Sequence, residues 1–394
     1  MGKNIAIIGS GITGIVSAYY LAKAGHSVTV FDKESYSAMK CSYANGGQVS
    51  VSNSEVWNTY DNVFKGLKWI FTKDAPFRIH PGLEVDKISW ILKFLYHTVK
   101  NDYENNTLET IRMGLASREL YHYLIAEEKI EFDQRYSGIV HIYKNRKYYE
   151  KALKAKRLYN SMGCEWEPIS LSYLRSLDYN CGTMRSLLDD GAIYTKSDFT
   201  GDIHKFCNSL EKVLKQKYNV KFKFRQNIEH LYEMSDYDCT VVSAGHESVR
   251  LAKTIGDRLS IYPVKGYSIT IEGNDINLLP KVSILDDQAK IVTSTLGNRF
   301  RVAGTAELNG VNYDIVRDRI DPLLNWVKTN FPQINTRNYS PYACLRPMTP
   351  NMMPIVKQSS NDSRVFYNTG HGHLGWTLAP FTAKTLQSLV DKND

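Results

Sequence analysis

Apolar residues near the start of the chain change from short runs to helical spacing and back. Residues 5–8 are uniformly apolar, which fits a buried strand of a parallel sheet. Apolar side chains then recur at helical spacing over residues 15–22, and Gly25 follows this predicted helix. A second apolar run at residues 28–31 leads to Asp32. The chain therefore opens with a strand, a helix and a strand.

The later pattern predicts helices in the middle of the chain and a mixture of elements after it. Amphipathic helical patterns cover residues 88–129, and residues 199–217 predict a helix that starts after the loop around Asp198. A glycine-rich turn precedes a final helix over residues 374–390. Strands are predicted at residues 138–143, 220–224, 237–245, 262–271, 290–295 and 299–304.

This order predicts an α/β protein with a Rossmann-type nucleotide domain that is discontinuous in sequence. The first elements and the last turn and helix belong to that domain, which we assign to residues 1–80, 185–260 and 340–394. An inserted α+β substrate domain carries an antiparallel sheet and takes residues 81–184 and 261–339.

Three glycines between the first strand and the first helix predict a dinucleotide site. Gly9, Gly11 and Gly14 have the spacing G-x-G-x-x-G, which provides a tight turn, room for a pyrophosphate and close helix packing. The helix N-terminus offers N–H groups to the phosphates. Asp32 follows about 20 residues on, where a carboxylate accepts hydrogen bonds from the ribose and repels a 2′-phosphate. NADP is thus disfavoured, and this stretch leaves FAD and NAD open.

Composition places the chain among ordinary globular proteins. It has 394 residues, 43% hydrophobic and 23% charged, which is enough for two domains. No run approaches about 18 consecutive apolar residues, and no secretory segment precedes the first strand, so we expect a cytoplasmic protein. Six cysteines without C-x-x-C pairs predict reduced thiols and no metal site.

The net charge of +8 is dispersed, and its densest cluster lies in one predicted helix. The cluster is interpreted either as a solvated face or as a contact for acidic lipid head groups or an acidic partner. No recognition motif accompanies the charge, so we expect no nucleic acid partner. Its members are Lys144, Arg146, Lys147, Lys151, Lys154, Lys156 and Arg157.

Five motifs in order resemble the FAD-dependent oxidoreductases of the D-amino-acid oxidase superfamily, over essentially the whole chain. They are GSGITG with Asp32–Lys33, YANGGQ at residues 43–48, PVKGYSITI at 263–271, ACLRPMTP at 343–350 and NTGHGHLGWT at 368–377. Within the superfamily the resemblance is strongest to FAD-dependent D-amino-acid dehydrogenases of the small-subunit type. The resemblance implies FAD as the cofactor.

The resemblance also implies positions around that cofactor. Residues 45–48 are expected beside the isoalloxazine ring, Ala244 and Gly245 near the pyrophosphate, and Ile228 near the adenine. The N–H groups of residues 370–376 are expected at the flavin N1–C2=O edge, where negative charge gathers on reduction. The predicted cofactor contacts are Gly9, Gly11, Ile12, Thr13, Gly14, Asp32, Lys33, Ser42, Asn45, Gly46, Gly47, Gln48, Ile228, Ala244, Gly245, Gly370, Gly372, His373, Leu374, Gly375 and Trp376.

The resemblance further implies that three residues act on the substrate. Arg346 is expected to hold an amino-acid carboxylate through two parallel hydrogen bonds, and the alternative is a structural ion pair. Tyr267 is expected to add a hydroxyl contact to that carboxylate, or else to be a packed core tyrosine. His373, like His371, is interpreted either as a proton acceptor or as a loop residue chosen for fit.

The implied reaction is oxidative deamination of a D-amino acid to a 2-oxo acid and ammonia, by hydride transfer to FAD N5. Electrons would pass to a quinone or another acceptor, with the enzyme peripheral at the inner face of a bacterial membrane. Two alternatives stay open: an amine oxidase of the glycine or sarcosine type that uses O₂, and an FAD-binding subunit without turnover. The D configuration rests on the resemblance alone.

Several positions depart from the family pattern. Asn351 and Met352 replace an acid and a glycine after the arginine motif, and Phe199 stands where an acidic residue is common. These changes bear on the substrate more than on the cofactor. Cys344 lies two residues before Arg346, where the sarcosine-oxidase branch of the superfamily has its flavin-linking cysteine. The resemblance therefore implies a thioether to the flavin 8α carbon, and the alternative is a small buried cysteine.

Overall fold

The computed structural model describes residues 2–69, 75–82, 84–184, 187–188 and 191–393. The domain boundary predicted at residue 185 lies outside these residues. Two large sheets and a two-stranded ribbon make up the β structure.

The first sheet has six strands in the order β16-β17-β10-β1-β2-β9. All neighbours are parallel except β16 and β17, so the sheet is of the Rossmann type that the sequence predicts. Its strands are β1 (Asn4–Ile8), β2 (Ser27–Asp32), β9 (Lys221–Phe224), β10 (Cys239–Val242), β16 (Ile355–Gln358) and β17 (Val365–Thr369).

The second sheet has nine strands and is mainly antiparallel. Its order is β15-β11-β14-β13-β12-β5-β7-β6, with β4 beside β14. Its strands are β4 (Phe77–Ile79), β5 (Ile139–Ile142), β6 (Glu167–Ile169), β7 (Ala192–Thr195), β11 (Tyr262–Ile271), β12 (Ser283–Asp286), β13 (Ile291–Leu296), β14 (Arg299–Leu308) and β15 (Tyr339–Met348). The ribbon pairs β3 (Gln48–Val49) with β8 (Phe199–Thr200).

The helices pack on the faces of these sheets. They are α1 (Ile12–Lys23), α2 (Tyr60–Trp69), α3 (Val85–Val99), α4 (Tyr103–Glu128), α5 (Arg146–Ser161), α6 (Leu171–Leu177), α7 (Tyr179–Gly182), α8 (Ile203–Lys217), α9 (Ser248–Lys253), α10 (Arg317–Asn330) and α11 (Gly375–Asp391). Among the described residues, no helix combines the length and the apolar character that crossing a bilayer requires.

Strand β1 shows why the first sheet is covered on both faces. Ile5 and Ile7 belong to a core formed with α1, α4, α8 and α11, whereas Ala6 and Ile8 belong to a second core that includes α9. Both sets of side chains are buried because successive residues of a strand point to opposite faces. The uniformly apolar run at residues 5–8 follows from this double burial.

The predicted α/β architecture is confirmed, with local corrections. Residues 199–217 do not form one helix: Phe199 and Thr200 pair with β3, and α8 begins at Ile203, after Asp202, whose carboxylate accepts hydrogen bonds from the next turn. Lys144, which we predicted within the basic helix, precedes α5, and its ammonium pairs with Asp286. Strands β4, β7 and most of β15 fall in segments that we assigned to the nucleotide domain, yet they belong to the nine-stranded sheet.

Candidate active site

A cavity of about 1110 Å³ lies between the carboxyl edge of the six-stranded sheet and one face of the nine-stranded sheet. Ligands of open α/β sheets bind at this edge. Every predicted site residue lines the cavity except two glycines. Gly14 lies behind the turn, and Gly47 packs against Ser294.

The glycine turn leaves space that a side chain would fill. Gly9 has φ +105°, and a Cβ there would approach the Ser243 carbonyl oxygen to 2.5 Å. Helix α1 begins after Gly11, has no side-chain cap and carries no acidic residue in its first turn. The Ile12 N–H donates to Ser42 Oγ at 3.1 Å. A helix N-terminus open to the cavity in this way suits a pyrophosphate.

Asp32 is held by its neighbours at the end of β2. Its Oδ2 accepts hydrogen bonds from the Ser10 N–H at 2.7 Å and from Ser10 Oγ at 2.6 Å, and its Oδ1 accepts one from the Glu34 N–H at 2.9 Å. The carboxylate is therefore oriented by these hydrogen bonds, and no cation of the described residues pairs with it. Lys33 is placed differently, because its ammonium pairs with Glu247.

Hydrogen bonds to strands of the nine-stranded sheet fasten the segment 44–48 in place. Gly46 has no room for a side chain, since a Cβ there would lie 2.5 Å from Val292 Cγ2. Four hydrogen bonds hold the segment: Ser268 Oγ to the Ala44 oxygen (2.7 Å), Arg301 Nη1 to the Asn45 oxygen (3.1 Å), Ser294 Oγ to the Gly46 oxygen (2.7 Å) and Gln48 Nε2 to Ser283 Oγ (2.7 Å).

A second helix N-terminus reaches the cavity at α11. Gly370 and Gly372 have φ of +76° and +58°, a conformation that glycine adopts readily, and the chain then enters the helix. The cap residue Leu374 makes no side-chain hydrogen bond, and the first turn carries no acidic residue. The Tyr121 hydroxyl donates to the Trp376 oxygen at 2.7 Å and fixes this turn. The arrangement favours negative charge in the cavity.

These features fit FAD. The two helix N-termini, the oriented Asp32 and the cavity size match phosphates, a ribose and a flavin. Five cavity-lining residues have a buried polar atom without a hydrogen-bond partner within the described part of the chain: Trp166, Ser243, Thr305, His373 and Trp376. Buried polar atoms are rarely left so unless a ligand or water satisfies them.

Arg346 lies across the cavity from the glycine turn. Its Nη1 donates to the Thr305 oxygen at 3.0 Å, and no carboxylate of the described residues is within ion-pair distance. Thr305 has φ +58° at a bulge in the pairing of β11 with β14, which turns its carbonyl toward the guanidinium. The guanidinium lies against Gly266, where a Cβ would approach Nη2 to 2.2 Å. Arg346 is thus positioned but keeps donors for a ligand.

Tyr267 has a partner of its own. Its hydroxyl donates to Glu307 Oε2 at 2.9 Å, and Glu307 also pairs with Arg319 at 2.9 Å. Burial, followed by the Glu307 charge, raises the pKa of Tyr267 well above its usual range. Because the hydroxyl hydrogen is already donated, the placement favours the packed-tyrosine alternative over a donor to substrate.

Both histidines of the last glycine turn are neutral at physiological pH. Burial lowers the pKa of His373 to about 3, with Arg346 and Lys290 acting in the same direction, and its ring stacks on Trp57 with centroids 4.8 Å apart. Burial also lowers the pKa of His371 to about 3, and its Nε2 is hydrogen-bonded to Thr382 Oγ at 2.9 Å. Such weak bases are poor proton acceptors, which favours the interpretation of both histidines as loop residues chosen for fit.

The cavity wall contains a chain of polar side chains that was not predicted from the sequence. His141 Nε2 lies 3.0 Å from Ser52 Oγ, and His141 Nδ1 lies 3.1 Å from Asp287 Oδ2. Burial opposes ionisation of Asp287, but the His141 hydrogen bond and charge prevail and lower its pKa. Buried Asp198 accepts the Ser52 N–H at 3.0 Å and fixes the segment. A polar His141 among apolar strand residues was the available signal.

Comparison with known proteins agrees with this geometry. The family described as DAO, FAD dependent oxidoreductase, matches residues 4–389. D-amino acid dehydrogenase 3 of Mesorhizobium japonicum is 43% identical over 98% of this chain and 97% of its own, and D-amino acid dehydrogenase of Dechloromonas aromatica is 33% identical over 98% and 96%. Glycine oxidase from Geobacillus kaustophilus shares the fold, with a TM-score of 0.77, 16% identity and coverage of 100% and 95%. The chain belongs to the DAO family of FAD-dependent oxidoreductases.

Proposed function

We propose that this enzyme oxidatively deaminates a D-amino acid, yielding a 2-oxo acid and ammonia. The observation that carries the proposal is Arg346, a cavity-lining guanidinium with no carboxylate partner among the described residues. A guanidinium matches a carboxylate through two parallel hydrogen bonds. The D configuration is supported by the names of the relatives from Mesorhizobium and Dechloromonas.

In this proposal the protein binds, orients and neutralises the substrate. Bound FAD supplies the hydride acceptor. Arg346 holds the carboxylate while Thr305 and Gly266 fix the guanidinium from two sides. The residues of segment 44–48 and of the α11 N-terminus would hold the flavin, and Asp32 with the α1 N-terminus would hold the adenosine and phosphates.

The charges of the site favour a substrate amine in its neutral form. Arg346 and Lys290 are close enough to depress the pKa of His373, and the same two cations would depress that of a nearby ammonium. A neutral amine has the lone pair that helps expel hydride from Cα. In this account His373 and Trp57 form a wall of the substrate pocket, and Tyr267 stabilises the strand beside Arg346 through Glu307.

Anaerobic reduction of the bound flavin tests the proposal. The holoenzyme is mixed with D-amino acids, L-amino acids, glycine and N-methyl amines, and the loss of flavin absorbance is followed. Reduction by several D-amino acids and by none of the L-enantiomers is expected. Reduction by glycine or sarcosine alone would identify an amine oxidase instead, and no reduction by any compound would identify a non-catalytic subunit.

We further propose that a membrane quinone accepts the electrons. Helix α3 exposes an apolar stripe, here called the α3 face, while Trp90, Ile91 and Phe94 of the same helix line the cavity. The α3 face consists of Val85, Ile88, Leu92, Tyr96 and Val99. Helix α5 lines the same cavity, presents exposed lysines and arginines, and is linked to α2 through Lys151 and Asp61, 2.9 Å apart. An apolar face and a basic face on two helices that line one cavity suit an anionic lipid surface.

Vesicle sedimentation tests the membrane contact. The holoenzyme should sediment with vesicles that contain an anionic phospholipid and less with purely zwitterionic ones. Leu92→Asp combined with Val99→Asp should abolish sedimentation, whereas Lys212→Asp on α8, away from the α3 face, should not. Equal binding of both variants would contradict the assignment. If peroxide forms in air at the rate of substrate oxidation, the electron acceptor is O₂ and not a quinone.

A further inference from the structure

Two thiols meet in the cavity wall and have no part in the proposed reaction. Cys41 lies in the loop after β2, and Cys344 lies on β15, opposite Gly266 of β11. The Cys41 thiol donates a hydrogen bond to the oxygen of Leu345 at 2.8 Å and lies beside the Cys344 thiol. Both residues are half-buried and line the cavity.

Cys41 and Cys344 line the cavity, unlike the four other cysteines, and the pKa of Cys344 shifts in the opposite direction from theirs. Those four are buried, none lines the cavity, and burial raises the pKa of each thiol: Cys164, Cys181, Cys207 and Cys239. For Cys344 the direction is reversed, because the adjacent Cys41 thiol lowers its pKa and the Arg346 charge adds to this effect. A thiolate is the reactive form of cysteine.

We propose that Cys41 and Cys344 are a redox-active dithiol that a peroxide converts into a disulfide. The Cys344 thiolate attacks one peroxide oxygen, the O–O bond breaks, and Cys344 becomes a sulfenic acid with release of hydroxide. The Cys41 thiol then attacks the Cys344 sulfur, the S–O bond breaks and water leaves. In sum, two thiols and one hydrogen peroxide give one disulfide and two waters.

The disulfide would join two elements of the cofactor site. Cys41 precedes Ser42, whose Oγ accepts the Ile12 N–H at the start of α1. Cys344 lies two residues from Arg346 on β15. A covalent link between the loop and the strand restricts opening of the loop. The oxidised enzyme should therefore release FAD more slowly than the reduced enzyme.

Thiol counting on the holoenzyme tests the proposal without any amino-acid substrate. After equimolar hydrogen peroxide, denaturation and alkylation, wild type should lose two of its six alkylatable thiols, and peptide mass mapping should show Cys41 linked to Cys344. Dithiothreitol should restore both thiols. Cys41→Ser and Cys344→Ser should each lack the linked peptide, and Cys239→Ser, in the buried strand β10, should retain it.

Three outcomes would overturn the proposal. An unchanged thiol count in wild type would show that no disulfide forms. A linked peptide between other cysteines would place the chemistry elsewhere. Flavin that stays with acid-precipitated wild type, with a flavin-bearing Cys344 peptide, would show that this sulfur is already used in a thioether. Equal rates of FAD release, measured by flavin fluorescence, would refute the effect on the loop.

Discussion

The glycine turn and the Arg346 site face each other across one cavity but are built in different ways. The turn consists of β1, α1 and β2, which are consecutive in sequence, and it offers mainly backbone groups. The Arg346 site requires β11, β14 and β15 to pair in register, and it offers a side chain. Phosphates are alike in all dinucleotides, so backbone N–H groups suffice for the first site.

A substrate carboxylate needs a positioned charge, and that charge must be held by residues distant in sequence. Thr305 accepts a hydrogen bond from Arg346, and Gly266 leaves space for the guanidinium. FAD binding at the glycine turn is therefore lost when the backbone is obstructed, whereas substrate binding at the Arg346 site is lost when one side chain moves. Substitutions can therefore impair one of these sites and leave the other intact.

The largest effect is expected from Gly14→Val. A Cβ at Gly14 would lie 1.9 Å from the Gly9 oxygen, so α1 cannot keep its distance from the turn. The purified variant should contain almost no FAD, measured as the ratio of flavin to protein absorbance. Gly82→Val is the matched control, because a Cβ at Gly82 meets no atom closer than the Lys87 ammonium at 3.5 Å. A Gly14→Val variant that is purified with its full content of FAD would contradict this account of the turn.

Arg346→Ala should separate the two sites. Removal of the guanidinium should weaken D-amino-acid binding by about 3–4 kcal/mol, a rise in KM of roughly 10²- to 10³-fold. FAD should remain bound, because the glycine turn is unaffected. Steady-state kinetics with a dye acceptor and the flavin absorbance measure both quantities. Arg346→Lys should recover only part of the loss. An unchanged KM would remove Arg346 from the substrate site.

Gly266→Ala should move the guanidinium and preserve its charge. A Cβ would approach Arg346 Nη2 to 2.2 Å, so the side chain must shift. A misplacement of about 1 Å costs up to roughly 10²-fold in rate, and we expect kcat/KM to fall by that order. Gly82→Ala, whose nearest contact is the Lys87 ammonium at 3.5 Å, is the control. Equal kinetics for both variants would show that Gly266 does not position Arg346.

The smallest effect is expected on the free energy of unfolding at acid pH, through His371 in the glycine-rich turn before α11. The pKa of His371 is about 3 in the folded protein and about 6.5 when unfolded. Between these values only the unfolded chain binds the proton, so the free energy of unfolding falls as pH falls. From pH 7 to pH 5 this amounts to about 2 kcal/mol, at about 1.4 kcal/mol per pH unit.

Urea unfolding of wild type and His371→Gln measures that contribution. The variant should lose about 2 kcal/mol less between pH 7 and pH 5 than wild type does. Between pH 7 and pH 8, above both pKa values, the two curves should run in parallel. Parallel behaviour down to pH 5 would mean that His371 is protonated in the folded protein.

Predictions from sequence were best where the cause is local. The strand, turn and helix at the start follow from apolar spacing and glycine positions, and the structure has them as expected. The helix predicted from residue 199 was wrong at its start, because Phe199 pairs with Val49, a residue 150 positions away. The roles of the predicted site residues remain predictions, although nearly all of them line one cavity.

The sequence by itself determined the cofactor turn, the α/β class and the position of the arginine motif, because each depends on residues that are close in the chain. Only the tertiary structure decided that Thr305 and Gly266 hold Arg346, that His141 meets Ser52 and Asp287, and that Cys41 meets Cys344. These contacts depend on strand register and on how two sheets pack, and no local pattern encodes either.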